Sequence, residues 1–137
     1  MADTVRALSA LQTLLADNTS RAISEQDLRD AVYSVLGVRP YAAKTTSYPA
    51  TESDEFIAVD ATAGAVVITL PAVATTRVGK VYTVKKVDAS GNAASINPNS
   101  TETLDGSATT LDITTQYAAI TIINTGTAWL AVSEYTP

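Results

Sequence analysis

The stretch Tyr117-Ala118-Ala119-Ile120-Thr121-Ile122-Ile123-Asn124-Thr125-Gly126-Thr127-Ala128-Trp129 decides the fold class. Ala118, Ile120 and Ile122 alternate with Ala119, Thr121 and Ile123, so a strand here has one apolar face and another that is nearly apolar. Asn124-Thr125-Gly126-Thr127 then supplies the residues a chain reversal needs. A strand of this kind suits the middle of a sandwich, or a sheet with one side buried on a neighbouring subunit.

The same pattern extends outward. Short β-prone runs occur at 55–61, 65–70, 80–87, 94–97, 109–114, 117–124 and 127–135, separated by Thr62-Ala63-Gly64, Pro71, Asp88-Ala89-Ser90-Gly91-Asn92, Asn97-Pro98-Asn99 and Asp105-Gly106. Their short connections predict antiparallel pairing, giving an antiparallel, jelly-roll-like β-sandwich of about seven to eight strands over residues 55–137.

Residues 1–37 follow a different period. Val5, Leu8, Leu11 and Leu15 form one helical stripe; Leu28, Ala31, Val32, Val35 and Leu36 form another, opened by Ser24-Glu25-Gln26-Asp27 and closed by Gly37. Helices of about three turns are marginal alone and need a partner surface. The expectation is a short N-terminal helical pair that docks or self-associates through Val5, Leu8, Leu11, Leu15, Leu28, Val32 and Val35. Residues 38–54, with Pro40 and Pro49, read as a linker carrying one extended segment.

The chain has 137 residues, 46% of them hydrophobic, enough for one core. It contains no Cys and no His, which removes disulfides, thiolate nucleophiles, Cys/His zinc sites and imidazole bases. A net charge of −5 has the wrong sign for gathering around phosphates, so no nucleic-acid partner is expected. The absence of a secretory start and of a long apolar run predicts synthesis in the cytoplasm without membrane insertion.

Chemistry-bearing groupings are few. Asp88-Ala89-Ser90-Gly91-Asn92 begins like a calcium loop, but Ala93 and Asn99 stand where Gly and Glu belong, so it reads as a turn and no metal is expected. Asp54, Glu55, Asp60, Asp88, Glu102, Asp105 and Asp112 could supply a glycosidase pair, yet most sit beside turn residues and read as solvated turn-formers. No catalytic residue or cofactor is expected; Gly64 and Gly79 read as turn glycines. Tyr82, Tyr117, Trp129 and Tyr135 offer flat apolar faces for a glycan, against which stands core filling by Trp129 and Tyr117. Lys85 and Lys86 point to opposite faces of a strand and read as solvated surface and edge protection.

Several segments, taken in order, resemble a small domain of bacteriophage virion proteins, including head fibres, capsid decoration proteins and tail-fibre segments. They are Val59-Asp60-Ala61-Thr62, Ile68-Thr69-Leu70-Pro71, Gly79-Lys80-Val81-Tyr82-Thr83-Val84-Lys85-Lys86-Val87-Asp88, Glu102-Thr103-Leu104-Asp105-Gly106, Gln116-Tyr117-Ala118 and Gly126-Thr127-Ala128-Trp129. Leu14-Leu15-Ala16-Asp17-Asn18-Thr19-Ser20 and Ile23-Ser24-Glu25-Gln26-Asp27-Leu28-Arg29-Asp30 are similar to a segment near the start of phage structural proteins. The resemblance implies a non-enzymatic virion component, commonly a homotrimer, with a terminal segment on the particle and the β domain facing outwards. Its partners would be sister subunits and the major capsid protein or another virion protein. With no room for a long shaft, the capsid exterior is the expected location; the alternative is a tail-fibre or receptor-binding module for host surface polysaccharide.

Overall fold

A computed structural model describes residues 29–32, 35 and 39–137. The chain divides into two compact units, Met1–Pro40 and Tyr41–Pro137. In the first, residues 29–32 and 35 are helical. The rest of the expected helical pair lies outside the described residues, as do Val5, Leu8, Leu11, Leu15 and Leu28. Among the described residues no helix is long and apolar enough to cross a membrane.

The second unit is mainly β. Its strands are β1 Tyr41–Lys44, β2 Tyr48–Pro49, β3 Phe56–Val59, β4 Val66–Thr69, β5 Val81–Lys86, β6 Ala94–Asn97, β7 Leu111–Ile113, β8 Ala119–Asn124 and β9 Trp129–Tyr135, with one 3-10 turn at Val73–Thr75. A wide sheet has the order β1-β3-β5-β8-β9 and a narrow sheet the order β2-β4-β6-β7. All seven expected runs are strands; β1 and β2 are additional and occupy the stretch read as a linker. They lie at the edges of the two sheets, where Pro49, which cannot donate to a ladder, is tolerated.

The expected antiparallel, jelly-roll-like pairing is corrected. From β1 to β6 the chain alternates between sheets, and each strand lies parallel to the strand two before it: Tyr41 pairs with Phe56, Phe56 with Thr83, Tyr48 with Ile68 and Val66 with Ala94. Only β6–β7, β5–β8 and β8–β9 are antiparallel. The reason is geometric. A short connection makes a hairpin only when both strands share a sheet; here the links after β1, β3 and β5 bridge two sheets that close over a common core. Repeating that bridge winds the chain and returns it parallel to itself.

The core draws on both sheets. Ile57, Val59, Tyr82, Val84, Ile120, Ile122 and Trp129 from the wide sheet form one cluster with Val66, Ile68, Ala94, Ile96 and Ile113 from the narrow one. Along β5 and β8 every second residue is buried, which is the period-2 pattern of a half-buried strand. Trp129 fills the centre with no exposed surface, its ring 5.6 Å from that of Tyr82. A bulge keeps β9 in step: Ile122 pairs with Ala131 but Thr121 with Ser133, so Val132 has no partner.

Ile57 is fully buried. Ile57→Ala is expected to lower the unfolding free energy by about 2–5 kcal/mol, whereas Thr109→Ala, at an exposed position, should change it by less than about 0.5 kcal/mol. Urea denaturation of the two variants checks the difference.

Candidate functional site

Among the described residues, a densely bonded polar cluster is formed by β5 and the loop after it. Alternation turns Val84 and Lys86 to the same inner side, so Lys86 enters the protein with its charge and is fully buried. The expectation that it is solvated surface is corrected. Its ammonium donates to Asp88 Oδ1 at 2.5 Å and to the Asp88 carbonyl at 3.1 Å. Asp88 Oδ1 also accepts from the Ser90 N–H at 2.9 Å and is bonded to Ser90 Oγ. Asp88 Oδ2 accepts from the Ala61 N–H at 2.7 Å, and Asn92 Nδ2 donates to the Ala61 carbonyl at 2.9 Å. The loop that opens like a calcium site therefore turns Asp88 Oδ1 and the Asp88 carbonyl onto a lysine ammonium. Burial works to raise the Asp88 pKa, but the bonds from Lys86, Ser90 and the backbone outweigh it and hold the carboxyl well below the usual carboxylate range.

Asp54, Asp60, Glu102, Asp105 and Asp112, also considered for catalysis, are engaged similarly. Asp54 Oδ2 accepts from Tyr48 Oη and from Thr51 N–H and Oγ1. Asp60 accepts from the Thr62 N–H, Glu102 from the Val73 N–H and Asp105 from the Ala131 N–H. Asp112 accepts from Ser95 Oγ at 2.6 Å. These are loop and strand pins, and Asp54 and Asp88 are buried, not solvated. A further pin escaped the sequence reading: buried Asn124 donates through Nδ2 to the carbonyls of Val73 and Thr76 and accepts from the Gly126 N–H. Asn124 is visible in the sequence only as a turn residue. Among the described residues no group of three or more carboxylates is placed to hold a metal ion.

The four aromatic residues considered for glycan contact separate into two pairs. Tyr82 and Trp129 have no exposed surface, so stacking on a sugar is closed to them. The Tyr82 hydroxyl donates to the Thr51 carbonyl at 2.9 Å, and burial pushes its pKa up. Tyr117 does not fill the core: it is 51% exposed, and Tyr135 is 56% exposed. Both rings lie beside Lys85, whose ammonium is 5.8 Å from the Tyr117 centroid and 5.3 Å from that of Tyr135. Of the expected docking residues, the described Val32 and Val35 are exposed.

The outer faces of the two sheets differ. On the wide sheet, register places Tyr41, Phe56, Thr83, Thr121 and Ser133 in one row, Ala43, Ala58, Lys85, Ala119 and Tyr135 in the next, and Val81, Ile123 and Leu130 at the far end. Lys85 is the one charge among these. On the narrow sheet the outer positions are Pro49, Val67, Thr69, Ser95, Asn97 and Asp112, a mostly polar set.

No protein-family model matches the chain, and no curated protein matches it.

The Asp88 carboxyl titrates below an unfolded aspartate, whose pKa is about 4. Its contribution to stability is therefore complete above roughly pH 5 and is lost as pH falls below about 4. Asp88→Asn should cost about 3–5 kcal/mol near neutral pH by leaving the Lys86 ammonium buried without its anion. The variant's urea midpoint should then fall less steeply than the parent's on acidification. Adding Lys86→Met to Asp88→Asn should recover most of the loss, a comparison made by urea titration across the acidic range.

Proposed function

We propose that this chain is a non-enzymatic bacteriophage virion protein, a capsid decoration or head-fibre protein held on the outside of the capsid as a homotrimer. Its two sheets act as one β-sandwich, and the N-terminal segment provides attachment. The observation that carries this reading is the contrast between the outer faces. The wide sheet's outer positions are mostly apolar or aromatic and the narrow sheet's mostly polar; a mostly apolar sheet face is costly to leave in water, while homomeric interfaces are apolar and poor in charge.

The apolar end of that face supports association between copies. Val78 and Leu130 are exposed there, beside Val81 and Ile123. Val78 lies so close to Gly126 that a Cβ at that position would come within 2.9 Å of its Cγ2. Exposed Val32 and Val35 support docking through the N-terminal segment. Each such side chain buried against a partner contributes roughly 1.5–3 kcal/mol before ordering costs, and threefold attachment multiplies a modest single-site affinity. The pinning of the carboxylates to backbone groups supports a structural protein over a hydrolase. The segments that resemble virion β domains, taken in order, support a phage particle as the assembly it joins.

Light scattering should return three times the 14.3 kDa chain mass, and Val78→Asp with Leu130→Asp should return the monomer with an unchanged circular dichroism spectrum. A monomeric parent protein would overturn the trimer. Immunogold microscopy of purified phage particles with an antibody against residues 55–137 should label heads. Leu11→Asp with Leu28→Asp should remove the label while leaving the β unit folded; absence of the parent protein from particles would overturn the virion role.

A further inference from the structure

The far edges of the two sheets, β7 and β9, leave a cleft between them. Buried Ile113, Ala118 and Ile120 form its floor, and the carboxylates of Asp112 and Glu134 line it. The two acids differ in what holds them. Asp112 accepts from Ser95 Oγ at 2.6 Å, whereas Glu134 is exposed and makes no ion pair among the described residues. Glu134 pairs with Ile120, so strand parity sets it on the inward side of an edge strand. A charge in that place keeps the edge from pairing with another sheet, which favours association of copies by faces over association by edges.

Ala119 and Tyr135 line the same cleft and share a register row with Lys85, so Lys85 stands on the outer face of the wide sheet at the lip of the cleft. Its ammonium donates to the Tyr117 carbonyl at 2.6 Å, and the rings of Tyr117 and Tyr135 flank it. Tyr117 has a φ of +64, a left-handed conformation that strains a bulky side chain. The turn that imposes it is closed by the Tyr117 N–H on the Lys86 carbonyl at 2.8 Å, and it aims the Tyr117 carbonyl at Lys85. One such bond leaves two ammonium protons for other acceptors. Among the described residues no ion pair joins Lys85 to Asp112 or Glu134 of its own chain.

The proposed trimer buries this face, and an ammonium buried without its anion is strongly destabilising. Three Lys85 side chains brought together around an axis would also repel one another. Cyclic symmetry offers the remedy, because groups that lie side by side on one copy meet crosswise between successive copies. We infer that Lys85 of each copy pairs with Glu134 of the next, so that ammonium and carboxylate alternate around the threefold axis. This inference rests on the homotrimer reading and names the contact that sets how the copies face one another. In the neighbour's cleft the apolar floor receives the methylene stem of the lysine, and Glu134 takes the ammonium by a charge-assisted hydrogen bond. Asp112, fixed by Ser95, adds a second negative charge there. A second copy suits the cleft better than an unrelated basic segment: cation and cleft adjoin on one chain, and the contact is continuous with the exposed apolar patch at Val78 and Leu130 on the same face.

The test is a charge swap in the full-length protein, read by analytical ultracentrifugation over a concentration series with circular dichroism as the check on folding. Lys85→Glu and Glu134→Lys each set like charges against one another and should raise the dissociation constant of the trimer at least about a hundredfold with an unchanged spectrum. Lys85→Met and Glu134→Gln, which remove a charge without reversing it, should each weaken the trimer at least about tenfold. The double variant Lys85→Glu with Glu134→Lys should return to within about tenfold of the parent, and Lys85→Arg should remain trimeric. A trimeric parent whose single reversals stay equally associated, or whose double variant stays dissociated, overturns the pairing and leaves the trimer standing. Single reversals that lower the melting temperature without changing the mass would place the pair within one copy and overturn it as well. A parent that is not trimeric overturns the trimer reading and the pairing with it.

Discussion

The arrangement depends on a charge that the fold carries inside. Lys86 reaches the core side of the wide sheet because strict alternation leaves it no other place, and the protein can keep it there only by supplying Asp88 and the surrounding acceptors. Asp88 in turn reaches across to the Ala61 N–H, so the loop after β5 is tied to the loop after β3. Those two loops are successive passes of the winding chain. The ion pair is therefore also a register clamp, which fixes how one coil sits on the previous one where hydrophobic packing alone would tolerate sliding.

Much of this was legible in the sequence, and the parts that were not share a cause. The strands at 55–61 through 127–135 announce themselves by alternation and by the Gly, Pro and Asn residues between them. β1 does not, because Tyr-Ala-Ala-Lys has no long apolar run, and β2 is two residues long and contains Pro49. Both are recruited as edges by strands already in place, which is a tertiary effect. Parallel pairing was hidden because a short link has the same composition whether it turns a hairpin or bridges two sheets. The buried state of Lys86 was hidden because its partner network includes the Ala61 backbone, far away in sequence.

At the aromatic cluster the residue types were readable but their disposition was not. Trp129, a single tryptophan in a late strand, is in the core, as its size favours. Tyr82 shares the inner side with Val84, a consequence of strand parity. Tyr117 and Tyr135 remain outside, and no local signal marks the left-handed turn at Tyr117, since tyrosine is the opposite of what that conformation selects. Residues that contradict their local preference are where function is most economically sought. The carboxylates show the converse: Asp54, Asp60, Glu102 and Asp105 all accept from backbone N–H groups, and their acidity serves the folding of loops.

The wound half of the domain has a modular character. Its first coil, β1 with β2, presents the outer edge of both sheets, whereas the reversed strands β7 and β9 close the far edges. Architectures that stack parallel turns grow by whole turns, because each added turn pairs with the last and offers the same edge to the next. A homologue could lengthen at the β1–β2 side by duplicating one coil, with no change to the antiparallel cap, the Lys86 clamp or the exposed tyrosines. Length variation between relatives should thus be quantised in strand pairs and confined to one flank.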